Sequence, residues 1–290
     1  MCIYLMLDQI CMSPLIEIND PLFSGSSTIL VDARGGQDSY QRYLNGHLKN
    51  AVYVDLDQHL AAKVTDAAKG GRHPLPEINE FASLLGNLGI SPESHVIIYD
   101  DKSAAMSAAR LWWMLRAIGH THVQVLNGGL QAAKNAGIEL STEPSIPAPL
   151  APYPFKHDYA GTVNMDEAGK AAQDDDKLVI DVRETPRYLG QTEPIDLIAG
   201  HIPGAANLPY ILNLDADGKY ILPEVLRKAY DAAIGNVPYD EVIVHCGSGV
   251  TACHTLLGMA YAGIEGPKLY VGSWSEWSRN DVPMATSERF

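Results

Sequence analysis

Cys246 closes the apolar run Val242-Ile243-Val244-His245 and is followed by Gly247-Ser248-Gly249-Val250-Thr251 before a helical stretch begins. A short loop that leaves a strand and enters a helix turns its backbone N–H groups inward and stabilises negative charge at its centre. A cysteine at that centre is favoured as the thiolate, a nucleophile able to hold a transferred atom as a covalent intermediate. Gly247 and Gly249 supply the close backbone approach and positive φ that such a cradle requires, which weighs against a core cysteine that merely ends a strand. The N–H groups of Gly247, Ser248, Gly249, Val250 and Thr251 are expected to face the sulfur, with the Ser248 and Thr251 hydroxyls as added donors. A metal centre built from His245, Cys246, Cys253 and His254 is disfavoured. Cys253 and His254 are adjacent on a helix and cannot face one centre, and a glycine loop suits anions. No metal and no cofactor are expected. Helical geometry also points Cys253 away from the loop centre, so it is not expected to pair with Cys246.

The elements that position this loop are duplicated along the chain. TILVDAR (28–34) matches KLVIDVR (177–183), and NGHLKNAVYVDL (45–56) matches AGHIPGAANLPY (199–210). VIIYDDKSAAMSAARLWWMLRAIG (96–119) matches VIVHCGSGVTACHTLLGMAYAGI (242–264), and VQVLNGGLQAA (123–133) matches KLYVGSWSEWS (268–278). The separations agree: Asp32 to Asp100 is 68 positions and Asp181 to Cys246 is 65. Apolar strands alternate with helical stretches at Ala104–Ile118 and Thr251–Ala262, which predicts an α/β fold: two tandem units, each a mainly parallel sheet flanked by helices. In such sheets ligands bind beyond the carboxyl ends of the strands, where Cys246 stands. Five prolines between residues 144 and 154 predict an extended, semi-rigid linker over 141–160, between an N-terminal unit at 14–140 and a C-terminal unit at 161–290. The run Leu111-Trp112-Trp113-Met114-Leu115 reads as core, and Asp174-Asp175-Asp176 as a solvated loop.

Composition bounds the partners. A net charge of −14 argues against nucleic acid or an anionic membrane but not against a small anion held by local cations. Four cysteines, Cys2, Cys11, Cys246 and Cys253, are too few and too irregularly spaced for a disulfide framework, so a reducing cytoplasm is the expected compartment. The apolar segment Met1–Met12 is interrupted by Asp8 and Gln9 and lacks a basic leader, and Met12-Ser13-Pro14 reads as an alternative start.

The combination Asp181-Val182-Arg183, Gly200-His201-Ile202-Pro203-Gly204-Ala205, Cys246 to Ala252 and Gly272-Ser273-Trp274-Ser275-Glu276-Trp277 resembles the tandem-domain rhodaneses, a family of sulfurtransferases, over about Pro14 to Phe290. The resemblance implies that the second copy is catalytic and the first has lost its nucleophile. Asp100 stands where the second copy has Cys246, and a carboxylate cannot form a persulfide. It also implies a two-step transfer: the Cys246 thiolate takes a sulfane sulfur from an anionic donor and yields it to cyanide or a thiol, a thioredoxin-like reductant among the latter. Arg187 matches the position where the family binds the donor anion. Arg34 and Arg183, like His47 and His201, occur in both copies and are expected to be architectural. Trp274 is expected to line the pocket, and the protein to be a monomer or weak dimer.

Basic side chains after the cysteine mark the thiosulfate-preferring members, whereas Cys-Gly-Ser-Gly-Val-Thr resembles the loop of the 3-mercaptopyruvate sulfurtransferases. In that branch the resemblance implies an Asp–His pair from the first copy working with the loop serine, here Asp57, His73 and Ser248. It also implies a second donor-binding arginine nine residues after the first, where this chain has Asp196, a group that would repel a carboxylate. Arg72 and Lys102 are the candidate replacements. A related phosphatase would need an arginine six residues after the cysteine, where Ala252 stands. Thiosulfate:cyanide transfer and a non-catalytic sulfur-relay or binding module remain as alternatives; sulfur loading of Cys246 separates the last from an enzyme.

Overall fold

The structure, a computed structural model, describes residues 12–24 and 28–286. The remaining residues, with Cys2, Cys11 and nearly all of the segment discussed as a leader, lie outside the described residues. Strands β1 (Leu15–Ile16), β2 (Thr28–Arg34), β4 (Val52–Asp55), β5 (His95–Tyr99) and β6 (Val123–Leu126) form one sheet in the order β1-β6-β5-β2-β4. A short β3 (His47–Leu48) pairs antiparallel with β7 (Leu140–Ser141). The second half repeats the plan with β8 (Thr162–Val163), β9 (Leu178–Asp181), β10 (Ala206–Asn207), β11 (Val242–His245) and β12 (Lys268–Tyr270), in the order β8-β12-β11-β9-β10. Every pair within the two five-stranded sheets is parallel. Central strands such as VIVH are buried along their whole length, as a sheet covered on both faces requires.

Register makes the duplication explicit. Asp32 pairs with Tyr99, the residue before Asp100, and Asp181 pairs with His245, the residue before Cys246. Asp100 and Cys246 therefore occupy the same place in their sheets. The last matched segments are offset by one residue from the sequence pairing, because the backbone N–H groups of Leu130 and Trp274 bond the Asp100 and Cys246 carbonyls respectively. Gly129 and Ser273 are thus equivalent, and both are left-handed, at φ +56° and +54°.

The helix after β5 runs Ser107–Ala117, three residues shorter at its start than predicted, and the helix after β11 runs Thr251–Tyr261. The shortfall has a local cause. Ser103 and Ala104 take positive φ so that the loop can wrap the Asp100 carboxylate, which delays the helix. Both helices are buried on nearly every face, Trp112 and Trp113 included, because each covers its own sheet and packs against the other. One apolar cluster runs through this contact, from Ala108 and Leu111 to Leu256 and Leu257. Residues 142–161 contain neither helix nor strand, and lie along the first half through the N–H groups of Leu150 and Tyr153, bonded to the Gly86 and Ala82 carbonyls.

In both halves the Asp-x-Arg pair is a buried ion pair whose arginine also bonds the glycine carbonyl of the Gly-His turn: Arg34 with Asp32 and Gly46, Arg183 with Asp181 and Gly200. His47 and His201 stack on Tyr43 and Tyr188 and engage their carbonyls through Nδ1. These devices brace each sheet at the end where the loops lie.

Candidate active site

Cys246 is 2 % exposed at the end of β11, and several carbonyls of the loop after it are bonded by other groups. Trp274 N–H bonds the Cys246 carbonyl, Ser275 N–H the Gly247 carbonyl, and the Arg110 guanidinium and Cys253 thiol both bond the Gly249 carbonyl. Ser273 Oγ accepts the Cys246 N–H and donates to the Tyr270 carbonyl, which holds its left-handed backbone in place. Gly249 has φ +72°, and a Cβ there would collide with the Val271 carbonyl, so only glycine fits. With the carbonyls engaged elsewhere, the N–H groups of Gly247, Ser248, Gly249, Val250, Thr251 and Ala252 donate to no acceptor among the described residues.

The sister loop shows what such a cradle holds. Asp100 Oδ1 accepts from the N–H groups of Lys102 and Ala104, and Oδ2 from that of Ala108, at 2.8–3.2 Å. Burial pushes the Asp100 carboxyl up to about 6, and these three donors oppose the rise. A negatively charged group thus fills the place that sulfur takes in the second half.

Three groups from the two halves meet at the cradle's rim. His73 Nδ1 is 2.8 Å from Ser248 Oγ and His73 Nε2 is 3.1 Å from Asp57 Oδ1. Asp57 is held below its ordinary value by the hydrogen bond from His73. An ionised Asp57 accepts the Nε2 proton and leaves Nδ1 as the acceptor for the Ser248 hydroxyl. The turn carrying His73 is stitched to the second half: Gly70 N–H bonds Glu276, Arg72 N–H bonds Ser275 Oγ, and Asn280 bonds the Ala68 carbonyl. Arg110 adds a bond to the His73 carbonyl, and its side chain is fully buried with no ion pair among the described residues.

Arg187 lies beside the loop, paired through Nε and Nη2 with Glu193 and 3.6 Å from Asp196. Asp196 also receives Arg72 Nε at 3.0 Å and Arg279 Nη1 at 2.9 Å, and its side chain is fully buried. Asp196, expected to repel a carboxylate, is met by three guanidiniums. Of the two candidate replacements, Arg72 reaches the loop, whereas exposed Lys102 forms no ion pair among the described residues. The expectation for Trp274 is corrected. It is 0 % exposed, lies beneath the Arg183 guanidinium at 4.7 Å, and donates Nε1–H to the Ile198 carbonyl, so it is core. Cys253 is buried in the helix, with its thiol pushed up to about 12 by burial.

Sequence reasoning missed Arg110, Glu193, Ser273 and Arg279. Arg110 had a signal, a charge set within the buried stretch of the helix SAARLWWMLRA; Arg279 had none, since its partner is 83 positions away.

The family profile for the Rhodanese-like domain matches residues 17–136 and 164–280. The probable 3-mercaptopyruvate sulfurtransferase of Pseudomonas aeruginosa is 40% identical over 250 residues, covering 85% of this chain and 86% of its own. A putative thiosulfate sulfurtransferase of Mycobacterium tuberculosis is 35% identical over 273 residues, covering 90% of this chain and 92% of its own. Among solved structures, the 3-mercaptopyruvate sulfurtransferase from Leishmania major superposes with a TM-score of 0.74 at 33% identity, over 88% of this chain and 75% of that one. Two copies of the matched domain, and a cysteine cradled at the carboxyl end of the second sheet, make this chain a member of the rhodanese family, a tandem-domain sulfurtransferase.

Proposed function

We propose that the enzyme moves a sulfane sulfur from 3-mercaptopyruvate to cyanide or a thiol through a persulfide on Cys246. The observation that carries this reading is the run of N–H groups from Gly247 to Ala252, unengaged among the described residues, in the loop equivalent to the one that binds the Asp100 carboxylate. In the first step the Cys246 thiolate attacks the donor's sulfur. The S–C bond breaks with its electron pair left on carbon as the enolate of pyruvate. The donor's thiol proton passes to Ser248 Oγ as the Ser248 proton moves to His73 Nδ1, and the relay returns a proton to the enolate carbon. The persulfide Cys246–S–S⁻ lies among the loop donors, which stabilise it as they stabilise the thiolate. In the second step cyanide attacks the outer sulfur, the S–S bond breaks, and thiocyanate leaves the thiolate restored.

On this reading residues 14–140 form the supporting unit, 141–160 the linker and 161–290 the catalytic unit. The enzyme works without metal or cofactor, as a monomer or weak dimer in the cytoplasm, where a thioredoxin-like thiol serves as acceptor. That Cys246 and Cys253 are both free is in keeping with a reducing compartment, and no helix among the described residues is long and apolar enough to cross a membrane. A relative named for thiosulfate keeps that donor as the second reading. Steady-state kinetics with cyanide decide between them: kcat/KM is expected to be higher for 3-mercaptopyruvate, and a clear preference for thiosulfate overturns the donor but not the transfer. Intact-mass measurement after donor exposure is expected to show one added sulfur, lost in Cys246→Ser; no added sulfur on the unaltered protein overturns the enzyme reading.

A further inference from the structure

We infer that Arg110, carried by the half without the nucleophile, is the buried counter-charge of the Cys246 sulfur, a positioning residue that acts through the Gly249 peptide. This rests on Cys246 being the nucleophile proposed above. The two central helices exchange a side chain. The fourth residue of Ser107–Ala117 is Arg110, which bonds the Gly249 carbonyl of the Cys246 loop at 3.0 Å. The fourth residue of Thr251–Tyr261 is His254, whose Nδ1 lies 3.1 Å from the Ala104 carbonyl of the Asp100 loop. Both side chains are fully buried, but they differ in charge. Burial pushes His254 down to about 4, so the loop that encloses its own carboxylate meets a neutral ring. The loop that holds a thiol meets a guanidinium, which stays protonated in a protein interior.

Arg110 has no carboxylate partner among the described residues. Its Nη groups go to the Gly249 and His73 carbonyls, and its buried Nε–H has no acceptor. A buried charge is costly until an opposite charge forms beside it. The neighbouring groups that could ionise are held neutral: burial pushes the Cys253 thiol up to about 12 and raises the Tyr159 phenol. After burial, the Cys253 sulfur feels Arg110 and then Cys246, so the three groups share one neighbourhood. The other cations near the loop are already paired, Arg183 with Asp181 and Glu193, Arg72 with Asp196, and Arg187 with Glu193 and Asp196. His73 at the rim bonds Asp57, and burial drives His245 toward its neutral form. The Cys246 sulfur is thus the anion that the Arg110 charge lacks. The bond from Arg110 to the Gly249 carbonyl also polarises the peptide whose N–H belongs to Val250, one of the cradle donors.

The test needs no sulfur donor. Alkylation of Cys246 by iodoacetamide, read by peptide mass, is compared at about pH 6 and about pH 10. Arg110→Met is expected to slow it about 10- to 100-fold at the lower pH and less than about threefold at the higher, where the thiol is ionised in either protein. Arg110→Lys, which keeps the charge but not both bonds, is expected to retain most of the lower-pH rate while losing stability. Arg110→Gln, neutral but able to donate to the Gly249 carbonyl, is expected to follow Arg110→Met and replaces it if that variant does not fold. No loss, a loss of equal size at both pH values, or an equal loss in the Lys and neutral variants makes Arg110 a brace only and overturns the inference. Alkylation that follows the expected pattern in a protein that gains no sulfur from any donor overturns the proposed transfer and not the role of the charge.

Discussion

His73 bonds Ser248 and Asp57 through its two ring nitrogens, and the two bonds do different work. On the proposed mechanism the bond to Asp57 sets the tautomer and the bond to Ser248 moves the proton. Replacing His73 by Gln keeps a polar group on the turn but removes the base. His73→Gln is expected to lower kcat by about 100-fold or more, the usual span for a positioned acid–base group, with a thermal midpoint close to that of the parent. Steady-state kinetics beside calorimetry check this, and an unchanged kcat removes His73 from the proton path. Cys253 is a contrast at the same scale. Its thiol is buried, raised to about 12 and bonded to the Gly249 carbonyl, so it serves the loop's shape and not its chemistry.

At the scale of elements, one strand–loop–helix unit occurs twice with different contents. The loop after β5 closes on its own carboxylate, and the loop after β11 leaves its N–H groups without an acceptor among the described residues. The Asp100 carboxyl, at about 6 in the folded chain against an ordinary value of 3.8, binds its proton more tightly folded than unfolded. Its contribution to stability is complete below about pH 4 and is lost as pH rises through about 6, a change of roughly 3 kcal/mol. Urea unfolding of the parent and of Asp100→Asn at about pH 4 and about pH 7 is expected to show the parent losing that amount relative to the variant. A difference that does not change with pH removes Asp100 from the account.

At the scale of the whole molecule, side chains of the two halves meet at one candidate site. Arg110 leaves the first half's central helix to bond the Gly249 carbonyl of the cradle and the His73 carbonyl of the relay turn. Removing a buried donor strands its acceptors at about 1–3 kcal/mol each. Arg110→Met is therefore expected to destabilise the protein by roughly 2–6 kcal/mol and to lower kcat, because both ends of the site lose the same support. Denaturant titration measures the first and kinetics the second; a loss below about 0.5 kcal/mol shows that the halves hold together without it. The helix contact in which Arg110 lies also explains why Ser107–Ala117 is buried on nearly every side, a pattern a single isolated domain would not need.

The duplicated α/β plan, the strand-end cysteine and its glycine loop, the Asp-x-Arg pairs and the loss of the first nucleophile were legible in the chain, because each is written in residues a few positions apart or in two matching copies. Such features depend on local backbone geometry and on side-chain periodicity, which short segments carry by themselves. The convergence of Arg72, Arg187 and Arg279 on Asp196, the burial of Trp274, and the double bond of Arg110 to cradle and relay turn were decided only by tertiary structure. Each joins segments far apart in the chain. The sign of a charge in sequence says nothing about how many opposite charges the fold brings to it, so Asp196 read alone suggested repulsion, and in its place in the fold it gathers the arginines.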